Sequence, residues 1–568
     1  MRAALLVALA LLGCQAHQSA SAGAAGPPVV SVVEAAPPPD AGVALELPPP
    51  PSFDAPKRKL DFHGGNPVIP VKLMEGASEV VFSSKSRLKI TLPGKITKTV
   101  DLAPHQVWTA KIRDGKPAKI TARVQLVEFA FNDKQGLADA QVEWERKGYK
   151  LKAQVLGGVY GVSGKVIDNR RYLLLIDDPL DPKDAAARQA QLLEKEGVRT
   201  TLYEEVREPP HGTVELFDSE GGLIGSGTDQ LEIESYDGSA IDVQKVEFNV
   251  GYDNHGNEDR SYRGGLQLTA DRNGKLAAVN TVGLEDLLKG LVPSEIFAKA
   301  HPEALKAQAV TARGEVLAKI GLKHLADPYL LCSEQHCAVY KGVSGEAAST
   351  NTAVDATRGE AIFDEAGKLV DSVYSAVCGG HTENNEVVWG GVPNPSLRGR
   401  PDVLEESEAT VGPAKLHEFL TSEQKHMCKL SSFAQPTKYR WEKKLSARDV
   451  DEKTASLGIG TVYAITVMDR GVSGRARLLN LSGEKGATQV RGELVIRRLF
   501  GNLNSAMFEV RSEKDPKGRP TSWIFTGGGW GHGVGLCQTG AIGRAEAGQL
   551  YRQILAHYFN GAQVFRVY

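Results

Sequence analysis

The sequence predicts an α+β protein: strand-rich and mixed, with a few helices embedded in a large C-terminal domain. Short alternating runs such as Leu88-Lys89-Ile90-Thr91-Leu92 recur along the chain and read as strands. Two stretches, Asp181–Glu196 and Pro302–Leu322, carry apolar residues at helical spacing instead. At 568 residues the chain is too long for one ordinary core, so two or three domains are expected. With 41% hydrophobic and 24% charged residues it has the material for packed interiors. A net charge of -2 supplies no global basic field for nucleic acid.

The elements follow in order. Arg2, the apolar run Ala3–Leu12 and Gly13-Cys14 read as a secretory signal over 1–14, too short to span a bilayer. Its Leu11-Leu12-Gly13-Cys14 ending resembles a bacterial lipoprotein lipobox, which makes Cys14 the expected lipidation site and a lipid the expected anchor to the membrane. Plain secretion is the alternative. Residues 15–60 are Ala/Pro/Ser-rich, with Pro37–Pro39 and Pro48–Pro51, and read as a semi-extended tether. Residues 61–152, with strands near 80–82, 88–92 and 124–129, are expected to form a small β-rich domain. Residues 153–208 read as strand Tyr172–Asp177, amphipathic helix Asp181–Glu196 and strand Gly197–Tyr203. This resembles half of a SPOR-type fold, which binds glycan strands stripped of peptides; a plain α+β module is the other reading. Residues 209–568 are strand-rich, with a hairpin from Thr213–Phe217 and Leu223–Gly227 and helices at Glu285–Gly290, Pro302–Leu322 and Ala541–His557.

Three polar segments stand out in that last stretch. The first is Pro293-Ser294-Glu295, read as a loop carboxylate ahead of the 302–322 helix. An acid that Ser294 and the positive end of a helix dipole merely favour is the plainer reading of Glu295 alone. On the helix, Leu305, Ala309, Ala312 and Val316 share a face that should be core, leaving Lys306, Gln308 and Arg313. Lys306 and Arg313 lie nearly two turns apart and point one way, either toward substrate or as a solvated basic face. The second segment, Tyr374 to Asn384, holds Ser375, Gly379-Gly380, His381, Thr382 and Glu383. The third, Gly527 to Gln538, is glycine-rich around Trp530 and His532, with Trp530 able to stack on a sugar ring. It lacks the order of a phosphate loop.

Taken together, Val282–Gly290, Pro293-Ser294-Glu295, Ala304–Arg313, Val339–Gly342, Gly379–Thr382, Trp530–Gly535, Gln538 and Gly540-Ala541 resemble the stage II sporulation protein D (SpoIID/LytB) family, over roughly 213–568. The resemblance implies a β-rich mixed domain that lytically cleaves peptidoglycan glycan strands, preferably those denuded of stem peptides. It places Glu295 on the family's catalytic glutamate and Lys306, Arg313, Tyr374, Ser375, His381 and His532 on its polar cleft residues. Gln308, Thr382, Trp530 and Gln538, in the same segments, complete the expected substrate contacts. A lytic transglycosylase needs one carboxyl group where a hydrolase needs two. Glu295 must therefore start protonated, with a pKa raised by burial. Glu383 would be the second carboxylate of a hydrolase. Some relatives resemble amidase enhancers, so a non-catalytic wall binder that stimulates a partner amidase is the rival expectation.

Six cysteines in an exported chain invite disulfides or metal. His324, Cys332, His336 and Cys337 form the inventory of a closed structural zinc site, and some family members resemble this. A disulfide from Cys332 or Cys337 to Cys378 is the competing reading. The expected catalysis requires no cofactor, and any zinc is expected to be structural.

Overall fold

The structure, a computed structural model, describes residues 60–568 except 64, 95–96, 163–164, 197, 199, 251–253, 335–336, 406–410 and 413–414. The signal segment, Cys14 and the tether up to residue 59 lie outside the described residues. The fold is α+β, as the mixture of periodicities predicts.

Two sheets build the larger core. One runs in the order Asp61–His63, Asn66–Ala77, Leu276–Gly283, Gly265–Ala270, Gln230–Ser235, Leu88–Leu92 and Lys98–Leu102. Leu331–Cys332 joins it in parallel with Asn66–Ala77. The other runs Leu223–Thr228, His211–Phe217, Val107–Lys116, Glu79–Ser84, Ile241–Phe248 and Gly256–Tyr262. The chain passes back and forth between them. Alternate residues such as Ile69, Val71, Phe82, Ile90, Val214 and Leu231 face inward into one shared core.

This sharing differs from the small β-rich domain expected over 61–152. Asn66–Ala77 pairs antiparallel with Leu276–Gly283, and Leu88–Leu92 pairs with Gln230–Ser235. An alternating strand announces which face it must bury but not which segment will cover it, and here the cover comes from beyond residue 209.

The α+β module is larger than 153–208. Lys119–Ala130, helix Lys134–Arg146, Leu151–Leu156, Arg171–Ile176, helix Pro182–Glu196 and Thr201–Glu208 form a β-α-β-β-α-β unit, with the hairpin Val159–Val162 and Lys165–Asp168 inserted between its second and third strands. Their antiparallel sheet has the order Thr201–Glu208, Lys119–Ala130, Arg171–Ile176, Leu151–Leu156, a ferredoxin-like arrangement. The expected half-unit is thus a whole one, with its first strand and helix before residue 153. The module departs from Val107–Lys116 and returns to His211–Phe217, which pair with each other. It is an insertion in the six-stranded sheet.

The helix Pro302–Lys319, the central helix, is buried nearly all round. Leu305, Ala309, Ala312 and Val316 are core as expected, but Gln308, Thr311 and Arg313 are buried too. Helices Leu284–Glu295, Ala348–Ala356, Gln538–Glu546 and Tyr551–Tyr558 pack around it. The last two replace the single helix expected over Ala541–His557, with the break at Gly548, whose φ is +91°. A second core, including Trp441, Val462, Leu479, Phe500, Phe508 and Phe525, lies within the stretch expected as one domain from 209 to 568. Its strand Pro520–Gly528 leads into the glycine-rich loop.

The ferredoxin-like module caps the central helix. Asn169 Nδ2 donates to the carbonyls of Ala318 at 3.3 Å and Ile320 at 2.7 Å, and Tyr160 donates to Leu317 O at 2.7 Å. Carbonyls in a last turn have no intrahelical donor, so these side chains fill a need. Asn169→Ala is expected to lower stability by about 1–2 kcal/mol, read as a fall of a few degrees in a thermal melt. Asn169→Asp, which keeps the shape and loses both donors, should cost at least as much. Unchanged melts for both would refute the capping role.

Candidate active site

The acid helix, Leu284–Glu295, starts from an extended Gly283 and carries Glu285 and Asp286 in its first turn, where a helix favours negative charge. Leu284, Leu287, Leu288, Leu291 and Val292 form its buried stripe. Pro293 occupies the last turn, Glu295 is the final helical residue, and Ile296 is already extended. The sequence reading put Glu295 in a loop before a helix; the helix runs through Pro293 and places it at the opposite pole. There the unsatisfied carbonyls disfavour a carboxylate. One of them, Glu295 O, accepts from Gln538 Nε2 at 2.8 Å.

That contact comes from 243 residues away. A short parallel bridge makes it possible: Tyr374 pairs with Leu536 and Ser375 with Cys537. The second and third polar segments therefore meet beside the end of the acid helix. The glycine-rich loop has little room there. Gly533 has φ +78°, and a Cβ on it would lie 2.3 Å from Arg475 Cζ.

The electrostatics centre on Glu295. Burial lifts its carboxyl to about 7, and the carboxylate of Glu315 pushes the same way. Hydrogen bonds with the Val339 amide and the Tyr374 hydroxyl, and the charge of Lys319, oppose the rise without cancelling it. Tyr374 hydrogen-bonds with both Glu295 and Glu315, and burial followed by those two acids holds its hydroxyl firmly protonated. A phenol has one proton to donate. Glu315 forms an i,i+4 ion pair with Lys319, so it is the better acceptor, and Glu295 can retain its own proton. His532 is held neutral: burial, then Arg475, push it down to about 3. Its Nδ1 accepts from Val534 N at 3.0 Å, and the ring packs against Trp389 with centroids 5.0 Å apart.

The other expected site residues divide. Gln308 is buried and its Oε1 accepts from Gln538 at 3.2 Å. Among the described residues Gln308 Nε2 and Ser375 Oγ are buried polar atoms without a partner. Trp530 is 41% exposed with Lys438 Nζ 4.4 Å from its ring centre, so it offers a surface to a ligand. Arg313, by contrast, is fully buried and gives two hydrogen bonds to Glu285, at 2.8 and 2.7 Å. Lys306 pairs with Glu303 at 2.7 Å beside Tyr551. His381 is 1% exposed with Nδ1 2.6 Å from Thr382 O, and Thr382 exchanges hydrogen bonds with the Arg400 backbone. These four face the interior or another helix, not the Glu295 carboxyl. Glu383 is sealed as well, accepting from Ser473 Oγ at 2.6 Å and Asn384 N at 2.8 Å. The acid next to Glu295 is Glu315, which the sequence reading passed over. It also passed over the exposed rings of Phe297, stacked on Phe433 at 5.1 Å, and Trp389.

Residues 272–363 match the stage II sporulation protein (SpoIID) family, and residues 383–535 match a domain of unknown function (DUF8618). That first stretch is similar to SpoIID. An uncharacterized protein of Brachyspira hyodysenteriae is 28% identical over 295 residues, covering 51% of this chain and 69% of its own length. The amidase enhancer of Bacillus subtilis is 27% identical over 303 residues, 48% of this chain and 39% of that protein. Stage II sporulation protein D of Bacillus amyloliquefaciens is 27% identical over 313 residues, 50% of this chain and 75% of its own. Glu295 and Glu315 fall inside the SpoIID match. Trp389, Trp530 and His532 fall inside the second match.

The SpoIID stretch also gathers His324, Cys332 and Cys337, whose ligand atoms lie within 4.8 Å of one another. His324 Nε2 is 3.1 Å from Cys337 Sγ, and its Nδ1 is 3.0 Å from Asp327 Oδ2. One imidazole oriented by a carboxylate and two thiols are zinc-type donors, but the two sulfurs are 2.6 Å apart, closer than a tetrahedral site holds them. His336, the fourth expected ligand, lies outside the described residues. Cys378, the expected partner in the alternative disulfide, lies instead with Cys428 and Cys537.

Two outcomes follow. Removing Arg313 leaves Glu285 buried and unpaired, so Arg313→Leu should cost about 3–5 kcal/mol, with much of it regained in the Arg313→Leu/Glu285→Leu double variant. Lys306→Ala should cost less than about 1 kcal/mol. Denaturant unfolding reads all three, and a wild-type curve for Arg313→Leu would reject the structural role. Second, Glu295 keeps its proton to about pH 7, whereas an unfolded glutamate releases it near 4.5. The folded state thus binds more protons in that window, and this contribution to stability, complete below pH 4.5, is lost as pH rises through 7. Glu295→Gln should match wild type in acid and exceed it above neutrality by roughly 1–3 kcal/mol. Equal stability at both ends of the range would contradict the burial of Glu295.

Proposed function

We propose that the chain is a lytic transglycosylase that cleaves peptidoglycan glycan strands, preferably ones denuded of stem peptides, to 1,6-anhydro-muramic acid ends. The observation that carries this is the buried carboxyl of Glu295 at the end of the acid helix, with its pKa raised to about 7. Relatedness to SpoIID supports a cell-wall role. The signal-like start ending in Gly13-Cys14 supports export with a lipid anchor at Cys14. Among the described residues no helix is long and apolar enough to cross a membrane.

Glu295 gives its proton to the leaving glycosidic oxygen as the bond to the anomeric carbon breaks. The same carboxylate then takes the proton of the muramic acid C6 hydroxyl, whose oxygen bonds to that carbon. Glu295 ends protonated, so atoms and charge balance and no water enters. Burial raises the pKa of Glu315 as well, against the charge of Lys319; when ionised, Glu315 favours the protonated form of Glu295, with Tyr374 between them. Trp530, Trp389 and Phe297 offer exposed aromatic faces to sugar rings. A zinc ion held by His324, Cys332 and Cys337 would be a structural cross-link, fixing the loop that carries the Val339 amide to Glu295.

Purified protein incubated with peptide-free glycan should release anhydro-ended fragments by mass spectrometry, and Glu295→Gln should lose at least 100-fold, a scale of about 10²–10⁴ for general acid–base work. Rate should fall as pH rises through about 7, where Glu295 loses the proton it must donate. Glu315→Gln removes the like charge, so that fall should move to lower pH with the Glu295 function intact. The amidase-enhancer relative motivates the rival reading of a wall binder with a cell-wall amidase as partner. Intact glycan with both wild type and Glu295→Gln, together with retained glycan binding, would favour the rival.

A further inference from the structure

A second cluster of ligand-type groups lies away from the Glu295 carboxyl. Cys378, Asp402, Cys428 and Cys537 are buried, and their ligand atoms all lie within 4.8 Å of one another. They come from separate segments: the turn after Tyr374-Ser375, the loop at 402, the short helix Met427–Leu430 and the N-cap of Gln538–Glu546. Cys378 Sγ is 3.6 Å from Cys428 Sγ and 3.4 Å from Asp402 Oδ2. A tetrahedron with Zn–S near 2.3 Å and Zn–O near 2.0 Å has edges of about 3.5–3.8 Å. We propose that Cys378, Cys428, Cys537 and Asp402 hold a structural zinc ion.

The surroundings are those of a closed metal site. The oxygen of Asp402 turned away from the cysteines, Oδ1, accepts from Tyr558 at 2.7 Å and Arg544 Nε at 3.3 Å, which fixes the carboxylate from behind. Cys537 Sγ accepts from the amides of Cys378 at 3.1 Å and Gly540 at 3.3 Å, as a thiolate does. Arg440 gives an independent sign. Its guanidinium donates to the carbonyls of Leu420, Gly379, Tyr439 and Phe419, and among the described residues it has no carboxylate partner. Three thiolates, one carboxylate and Zn²⁺ leave two negative charges, which Arg544 and Arg440 offset. Loading the site releases the remaining thiol protons to solvent, and the four ligands leave no position open for substrate.

The site goes beyond the proposed reaction and stands without it. Its test uses the full chain carrying His324→Ala, Cys332→Ser and Cys337→Ser, so that the other cluster cannot contribute. One equivalent of zinc by elemental analysis is expected, and cobalt(II) exchanged into it should give the strong visible bands of a tetrahedral thiolate site. Adding Cys428→Ser should abolish both, while the milder Asp402→Asn should keep the fold by circular dichroism and shift the bands. Zinc-free protein, with Cys378 joined to Cys428 or Cys537 in a non-reducing peptide map, would overturn the proposal in favour of a disulfide. Zinc-free protein with all three thiols reactive after unfolding would overturn it too.

Discussion

Arg313 and Glu285 meet through two hydrogen bonds, with side-chain exposures of 0% and 2%. Two charges so deeply buried persist only when their remaining donors and lone pairs are also used. They are. Arg313 gives further bonds to Glu360 O and Val354 O, while Glu285 accepts from Gly359 N and the Tyr568 hydroxyl. The pair thus joins the acid helix, the central helix, the 354–360 segment and the last residue of the chain. A lysine could not replace Arg313, because a point charge lacks the planar fork that holds a carboxylate in one orientation. With Glu285 fixed in the first turn and Gln538 on the carbonyl of Glu295, the acid helix is gripped at both ends.

That grip decides the chemistry of Glu295. At the start of a helix the dipole would favour a carboxylate by about 0.3–1 kcal/mol; at the end it disfavours one by a similar amount. Burial is the larger effect. Raising the carboxyl from 4.5 to about 7 corresponds to on the order of 3 kcal/mol. Helix polarity, burial and Glu315 therefore all favour the acid form, and the nearby donors and Lys319 do not outweigh them.

Much of the local structure was legible because strands and helices carry their own periodicity. Leu88–Leu92, the 213–227 hairpin and the core face of the central helix follow from spacing alone. What spacing hides is the partner. Residues 61–102 look self-contained until their strands are seen against 230–283. Lys306 and Arg313 look alike on one helix line, yet one lies partly exposed against Glu303 and the other is the buried joint. Glu315 escaped notice because Glu315 and Lys319, four apart on a helix, have the pattern of an ordinary surface pair. Only the approach of Tyr374 from another segment gives that pair a site to act on.

Such an approach has to be maintained over a long detour. Between Glu383 and Gly533, which meet through a backbone hydrogen bond of 2.8 Å, the chain builds a second core of its own. Loop length adds little to the cost of closing such a detour, since that cost grows only logarithmically. Local geometry is harder to secure, because a parallel bridge of two residues is a weak clasp. The inserted body answers part of this by sending the buried Arg475 back to the carbonyls of Cys378 and His381, at 3.0 and 3.1 Å. Gly533 must then be a glycine, since the guanidinium occupies the space of its Cβ. The same constraint explains why Cys378 and Cys537, one on each side of the clasp, share a single buried cluster. A cross-link at that point holds Tyr374 and Gln538 to their partners without using the Glu295 carboxyl.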